Sequence, residues 1–63
     1  MNNQPVTCQD STIQKFVESM LSSQDKDMRR AALRALAIAQ QAGGIVTAQI
    51  VQQAIDQIVA ERQ

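Results

Sequence analysis

Two adjacent glycines, Gly43 and Gly44, constrain the fold of this chain more than any other feature of its sequence. Apolar residues recur at helical spacing on both sides of them. A glycine commonly ends a helix because it adopts left-handed backbone angles without steric cost. The sequence therefore predicts two helices that are joined by a short turn at these glycines.

The residues after the turn predict how the second of these helices begins. Thr47 is a good N-cap residue, and Val46 lies one position ahead of it, where it packs against Val51 as a hydrophobic staple. From residue 48 to about Ala60, pairs of apolar residues recur every four positions, opposite a face rich in glutamine. The pattern is typical of an amphipathic helix.

The helix before the turn is predicted to run from about Lys26 to Ala42, with Asp25 as its N-cap. Its apolar residues, many of them alanine, cover about half of its circumference. A helix of this kind contacts two neighbours at once. We therefore expect it to lie in the centre of the domain.

A further helix is predicted to begin at Ser11, which together with Gln14 fits the capping-box pattern. Its single apolar face consists of Ile13, Phe16, Val17, Met20 and Leu21. Residues 1–10 lack such periodicity and are predicted to be a disordered leader. The expected fold is all-α, with a three-helix domain at residues 11–63.

The composition argues against several classes of function. Six basic and six acidic residues give zero net charge, which disfavours nucleic-acid binding as the main activity. There is no histidine, and the single cysteine, Cys8, cannot form an internal disulfide or a closed zinc site. No apolar run approaches the roughly 20 residues of a membrane span, and no signal peptide is recognisable. We expect a cytoplasmic protein without a metal, a cofactor, a membrane association or a small-molecule substrate.

Catalysis is not expected either. General acid–base chemistry needs titratable groups held together in a cleft, whereas the acidic residues fall on predicted solvent faces or at helix ends. Cys8 has no histidine that could act as its base. The chain is therefore predicted not to be an enzyme.

Two polar features leave alternatives open. Arg29, Arg30 and Arg34 are the only local excess of charge, and they predict salt bridges to Asp25 and Asp27 with Arg34 solvated, or else contacts to a partner's carboxylates or to phosphate. The glutamine face of the last helix is either the polar rim of a protein interface or the base-reading face of a helix-turn-helix unit.

The size of the chain favours association. A domain of 63 residues buries only about 60% of its unfolded surface, so we expect extra stability from a homo-oligomer or from docking on a protein partner. The predicted function is that of a non-enzymatic protein–protein interaction or accessory module. The candidate interface residues are Arg30, Arg34, Ala31, Ala35, Ile38, Ile55 and Val59.

Residues 28–56 also resemble a known family, the small helical domain at the C-terminus of the B subunit of light-independent protochlorophyllide reductase and its stand-alone relatives. The resemblance is carried by Arg29 or Arg30, Ala39, Gly43 or Gly44, Ile45, Val46, Thr47, Val51 and Ala54. It implies a regulatory or accessory role beside a larger enzyme, and no catalytic or cluster-ligating residue carries over. The same joint is similar to the last joint of the histone fold, which implies a handshake-like dimer.

Overall fold

The computed structural model describes residues 6–62, which form three helices and two short strands. In chain order the elements are β1 (Thr7–Cys8), α1 (Ser11–Leu21), α2 (Lys26–Gln41), β2 (Ile45–Val46) and α3 (Ala48–Glu61). The predicted all-α, three-helix fold is confirmed. The observed bounds of α2 and α3 differ from the predicted ones by one residue.

The central position predicted for α2 is confirmed, because this helix packs against both α1 and α3. Four of its alanines are fully buried, and their short side chains let the neighbouring helices approach closely. These alanines are Ala31, Ala32, Ala35 and Ala39. The core is completed by Val17, Met20, Val46, Val51, Ala54 and Ile58.

The joint between α2 and α3 has the predicted glycine turn and the predicted N-cap. Gly43 and Gly44 have φ angles of 116° and 90°, in the region that favours glycine. The Gly44 amide donates to the Ala39 carbonyl at 2.6 Å, which closes the end of α2. Thr47 then caps α3, since its hydroxyl oxygen accepts from the Ile50 amide at 3.2 Å.

The two residues of the predicted hydrophobic staple are both part of the core. Val46 and Val51 are both buried in the same core cluster at the start of α3. Because Val46 belongs to β2, its burial fixes the position of the strand as well as the direction in which α3 begins.

The N-cap of α2 is predicted correctly and that of α1 is not. Asp25 caps α2, with its carboxylate accepting from the Asp27 amide at 2.9 Å. α1 is capped by Asp10 and not by Ser11, because the carboxylate one residue earlier accepts from the Ile13 amide at 2.9 Å. The capping-box contact back to the cap is also absent, since the Gln14 side chain donates to Glu18.

The predicted disordered leader, residues 1–10, is wrong for residues 6–10. Thr7–Cys8 forms β1, which pairs in parallel with β2, Thr7 opposite Ile45. The part of the leader at residues 1–5 lies outside the described residues.

Residues 6–10 are ordered because they contact residues that are distant in sequence. The Thr7 amide donates to the Gly44 carbonyl at 2.9 Å, and the Gln9 amide donates to the Val46 carbonyl at 2.8 Å. Cys8 is half-buried and packs against the core. Backbone pairing and apolar burial together hold the segment before α1 against the α2–α3 joint.

The apolar face of α1 is only partly buried. Val17 and Met20 belong to the core, and Ile13 packs against it. Phe16 and Leu21 lie at the two margins of the face and remain exposed. α1 thus contributes a narrow stripe to the core, because it packs mainly against α2.

Candidate interaction surface

Arg30 and Arg34, two of the predicted interface residues, both bind Glu61. The Arg30 Nη2 to Glu61 Oε1 distance is 2.9 Å, and the Arg34 Nη2 to Glu61 Oε2 distance is 2.8 Å. These contacts join the beginning of α2 to the end of α3, so the two helices run antiparallel. The alternative in which Arg34 is simply solvated is therefore wrong.

Further polar contacts extend this pairing into a network. Arg34 Nη1 donates to Gln57 Oε1 at 2.8 Å, on the α3 turn before Glu61. Asp27 Oδ1 lies 3.7 Å from Arg30 Nη1, and Asp27 Oδ2 lies 3.2 Å from Arg62 Nε. The ion pairs are partly exposed to solvent and each contributes at most about 1 kcal/mol, but the shared carboxylates hold the arginines in place.

Arg29 does not form the predicted salt bridge with Asp25. Its Nη1 donates to the Ser23 carbonyl at 2.7 Å, and the Asp25 carboxylate caps α2 instead. The predicted pair of Asp27 with an arginine is present, with Arg30 as the partner. Arg29 therefore fixes the α1–α2 loop, and no carboxylate within the described residues forms a salt bridge with it.

Ala31 and Ala35 are wrong as interface candidates. Both face the interior of the domain, with exposed fractions of 1% and 0%. The small-residue surface predicted to meet another molecule is used inside the chain, where α2 packs against its neighbours. Ile38 is also half-buried against this core.

Ile55 and Val59, the remaining candidates, lie together at the free end of the α2–α3 pair. With Met28 and Ile58 they line a small cleft, which we call the Val59 groove. Val59 is 47% exposed, whereas Ile55 and Met28 are half-buried. The rim carries charges of both signs, from Asp25, Asp27 and Arg62.

The dimensions of the Val59 groove limit what it can hold. Its volume is about 90 Å³, compared with roughly 300–1,000 Å³ for typical small-molecule sites. A cleft of this size accepts one or two apolar side chains. The groove therefore fits side chains of a protein partner better than a small molecule.

The glutamine face of α3 forms a broad, shallow surface. A depression of about 470 Å³ runs along it, but every lining residue belongs to α3 itself. Gln52 Nε2 donates to Asp56 Oδ1 at 3.0 Å, which occupies one of the side chains that base reading would need. The lining residues are Gln49, Gln52, Gln53, Asp56, Gln57 and Ala60, without a cation for phosphate contact.

Two surface residues of the α2–α3 pair, Leu33 and Glu61, were not predicted. Leu33 is 58% exposed on the outer face of α2, and its helical position, away from the alanines, was a signal available in the sequence. Glu61 binds two arginines across the helix pair. That role depends on the antiparallel register of α2 and α3, for which the sequence has no local signal.

Within residues 6–62, no helix is long and apolar enough to cross a membrane. The same residues contain no cluster of three or more histidine, cysteine, aspartate or glutamate side chains that could hold a metal ion. Comparison with protein-family models, curated proteins and solved structures gives no match for this chain. The resemblance to the protochlorophyllide reductase domain stays a prediction.

Proposed function

We propose that this domain is a non-enzymatic protein–protein interaction module that associates with a second copy of itself through the Val59 groove. The observation that carries the proposal is the contiguous apolar surface at the free end of the α2–α3 pair. There the exposed Val59 continues into the half-buried Ile55 and Met28. Single exposed apolar side chains are ordinary, but an apolar cleft with a charged rim is typical of an interface.

The charges of the rim support a two-fold arrangement. A symmetric dimer brings the same surface of both copies together, so each rim has to complement itself. Asp25 and Asp27 lie on this rim together with Arg62. Arg62 of one copy can therefore face the carboxylates of the other, while the two Val59 side chains are removed from water.

The driving force for self-association would be the burial of apolar surface, which a chain of this size can achieve only in part by itself. Burial of apolar surface stabilises by about 25 cal/mol per Å², and a domain of this length buries a smaller fraction of its unfolded surface, about 60%, than a larger domain does. Val59 lies outside the core cluster, and 47% of its surface remains exposed in the monomer. Its burial between two copies would therefore add stability that the monomer lacks.

Sedimentation equilibrium of the purified chain over a range of concentrations tests the proposal. The unmodified protein is expected to self-associate, and Val59→Asp is expected to sediment as a monomer with unchanged helicity. Leu33→Asp is the matched control, because it places the same charge on an exposed residue of the opposite side of the helix pair. A monomeric unmodified protein, or equal loss of association in both variants, would refute the proposal.

A further inference from the structure

The outer face of α2 carries a basic strip with an exposed leucine at its centre. Its positions are three, four and seven residues apart, which places them on one side of the helix. All of them are exposed except Arg34, which is half-buried. The basic strip consists of Lys26, Arg29, Arg30, Leu33, Arg34 and Ala37.

The cations of the strip are only partly neutralised within the chain. Glu61 is shared by Arg30 and Arg34, and Asp27 is shared by Arg30 and Arg62. Within the described residues, Lys26 and Arg29 form no salt bridge, although the carboxylate of Asp25 lies at the end of the strip as the helix cap. The whole chain is neutral, so the positive potential here is local.

Leu33 gives the strip an apolar centre. It is the most exposed of the large apolar side chains within the described residues. Together with Ala37 and Ile58 it lines a shallow depression that is flanked by the guanidinium groups of Arg30 and Arg34. An apolar side chain seated there would bring neighbouring carboxylates within reach of both arginines.

We propose that the basic strip binds an acidic, amphipathic helix of a partner protein, with one leucine-like side chain against Leu33 and glutamates on either side. The inference rests on the proposed role of the domain as an interaction module and names a partner class for a second surface. Arginines one helical turn apart match carboxylates one turn apart on a facing helix. Charge complementarity would guide the encounter, and Leu33 would contribute the apolar contact.

The apolar centre favours a protein over a nucleic acid as the occupant. Phosphates and carboxylates would both pair with Arg30 and Arg34, which already share Glu61, so the choice between them follows from Leu33. A facing phosphate backbone would leave Leu33 without an apolar contact. A helix with both leucine and glutamate would contact Leu33 with its leucine and the cations of the basic strip with its glutamates.

Fluorescence anisotropy with a labelled synthetic helical peptide, rich in leucine and glutamate at helical spacing, tests the proposal on the full chain. Binding is expected at low salt and should weaken as salt screens the charges. A peptide with glutamine in place of every glutamate is expected to bind at least about tenfold more weakly, because charge-assisted contacts are lost.

Three variants locate the site. Leu33→Ser is expected to weaken binding of the acidic peptide about tenfold. Lys26→Glu should weaken it several-fold, and Lys15→Glu is the matched control, because it makes the same charge change on α1. Circular dichroism checks that all three variants keep their helices.

The proposal is overturned if the acidic peptide does not bind at low salt, if Lys15→Glu weakens binding as much as Lys26→Glu, or if a DNA duplex binds more tightly than the peptide. The outcome is separable from that of self-association. Val59→Asp should still bind the peptide, because the Val59 groove and the basic strip lie on opposite sides of the buried Ile58. A monomer that binds the peptide would refute self-association alone.

Discussion

The two ends of the α2–α3 pair are held together by different physical means. At the joint end, backbone hydrogen bonds link Gly44 to Ala39 and β1 to β2, and Val46 is fully buried. At the free end, the helices are linked by partly exposed ion pairs of Glu61 with two arginines of α2 and of Asp27 with Arg62. The joint end therefore determines the fold, whereas the free end is the part that can change its surface at little cost in stability.

This difference explains where the candidate surfaces lie. The Val59 groove and the basic strip both lie toward the free end, on either side of the seam between α2 and α3. Val59, Leu33 and the charged side chains of these two surfaces lie outside the core, so evolution or engineering can alter them without unfolding the domain. At the joint end, Val46 has no comparable freedom because it is buried, and Gly43 and Gly44 have none because of their special backbone angles.

The largest expected effect compares the same substitution at the two ends. Val46→Asp should cost at least about 3 kcal/mol, because it buries a carboxylate without a partner. A chain of this length has a total stability of only about 3–9 kcal/mol, so the variant should be largely unfolded. Val59→Asp should change the stability of the monomer by no more than about 0.5 kcal/mol, since Val59 is half-exposed.

Urea unfolding followed by circular dichroism measures both variants. It should be done at a protein concentration low enough to keep the chain monomeric, so that any loss of association does not enter the comparison. Similar unfolding free energies for the two variants would contradict the proposed difference between the ends.

A smaller effect is expected at the turn itself. Gly43→Ala should destabilise by about 1–2 kcal/mol, because a φ of 116° is strained for an L-residue. Apart from the glycine itself and its two chain neighbours, no heavy atom lies within 4 Å of the position of an added Cβ, so the cost is one of backbone conformation and not of packing. Thermal unfolding measures the change.

The matched control for the turn is a chemically synthesised chain with D-alanine at position 43. It adds the same methyl group but prefers positive φ, so it should stabilise by roughly 0.4–1 kcal/mol. If both forms of alanine destabilised the protein equally, the strain would not be the cause.

The smallest effect is expected for the ion pairs at the free end. Glu61→Gln should cost about 0.5–1 kcal/mol at low salt, because it removes the shared partner of Arg30 and Arg34. Salt screens exposed charges, so the difference from the unmodified protein should shrink at high ionic strength. Melting temperatures at low and high salt test this, and a salt-independent difference would count against an electrostatic origin.

The parts of the fold that could be predicted are those with local signals. The Asp25 and Thr47 caps, the glycine turn and the alanine-rich central helix each depend on residues that are close in sequence. The cap of α1 lies one residue before the predicted one, because both Asp10 and Ser11 have side chains that can cap a helix.

The parts that were missed depend on the register between distant segments. The pairing of β1 with β2 involves two residues on each side and has no periodic signature. The contact between Arg34 and Glu61 follows from the length and angles of the joint. Ala31 and Ala35 were expected on an outer interface, because a helix pattern shows which residues are apolar but not which neighbouring segment covers them.

The pairing of β1 with β2 has a consequence for the order of folding. It closes a loop that contains the whole of α1 and α2, so it incurs the largest loop-closure entropy of the contacts described above. The α2–α3 hairpin has shorter connections and should form earlier. The segment before α1 would then be the last part to attach and the first to detach. The amides of Thr7 and Gln9 should accordingly exchange with solvent through a local opening, while the helix pair stays intact.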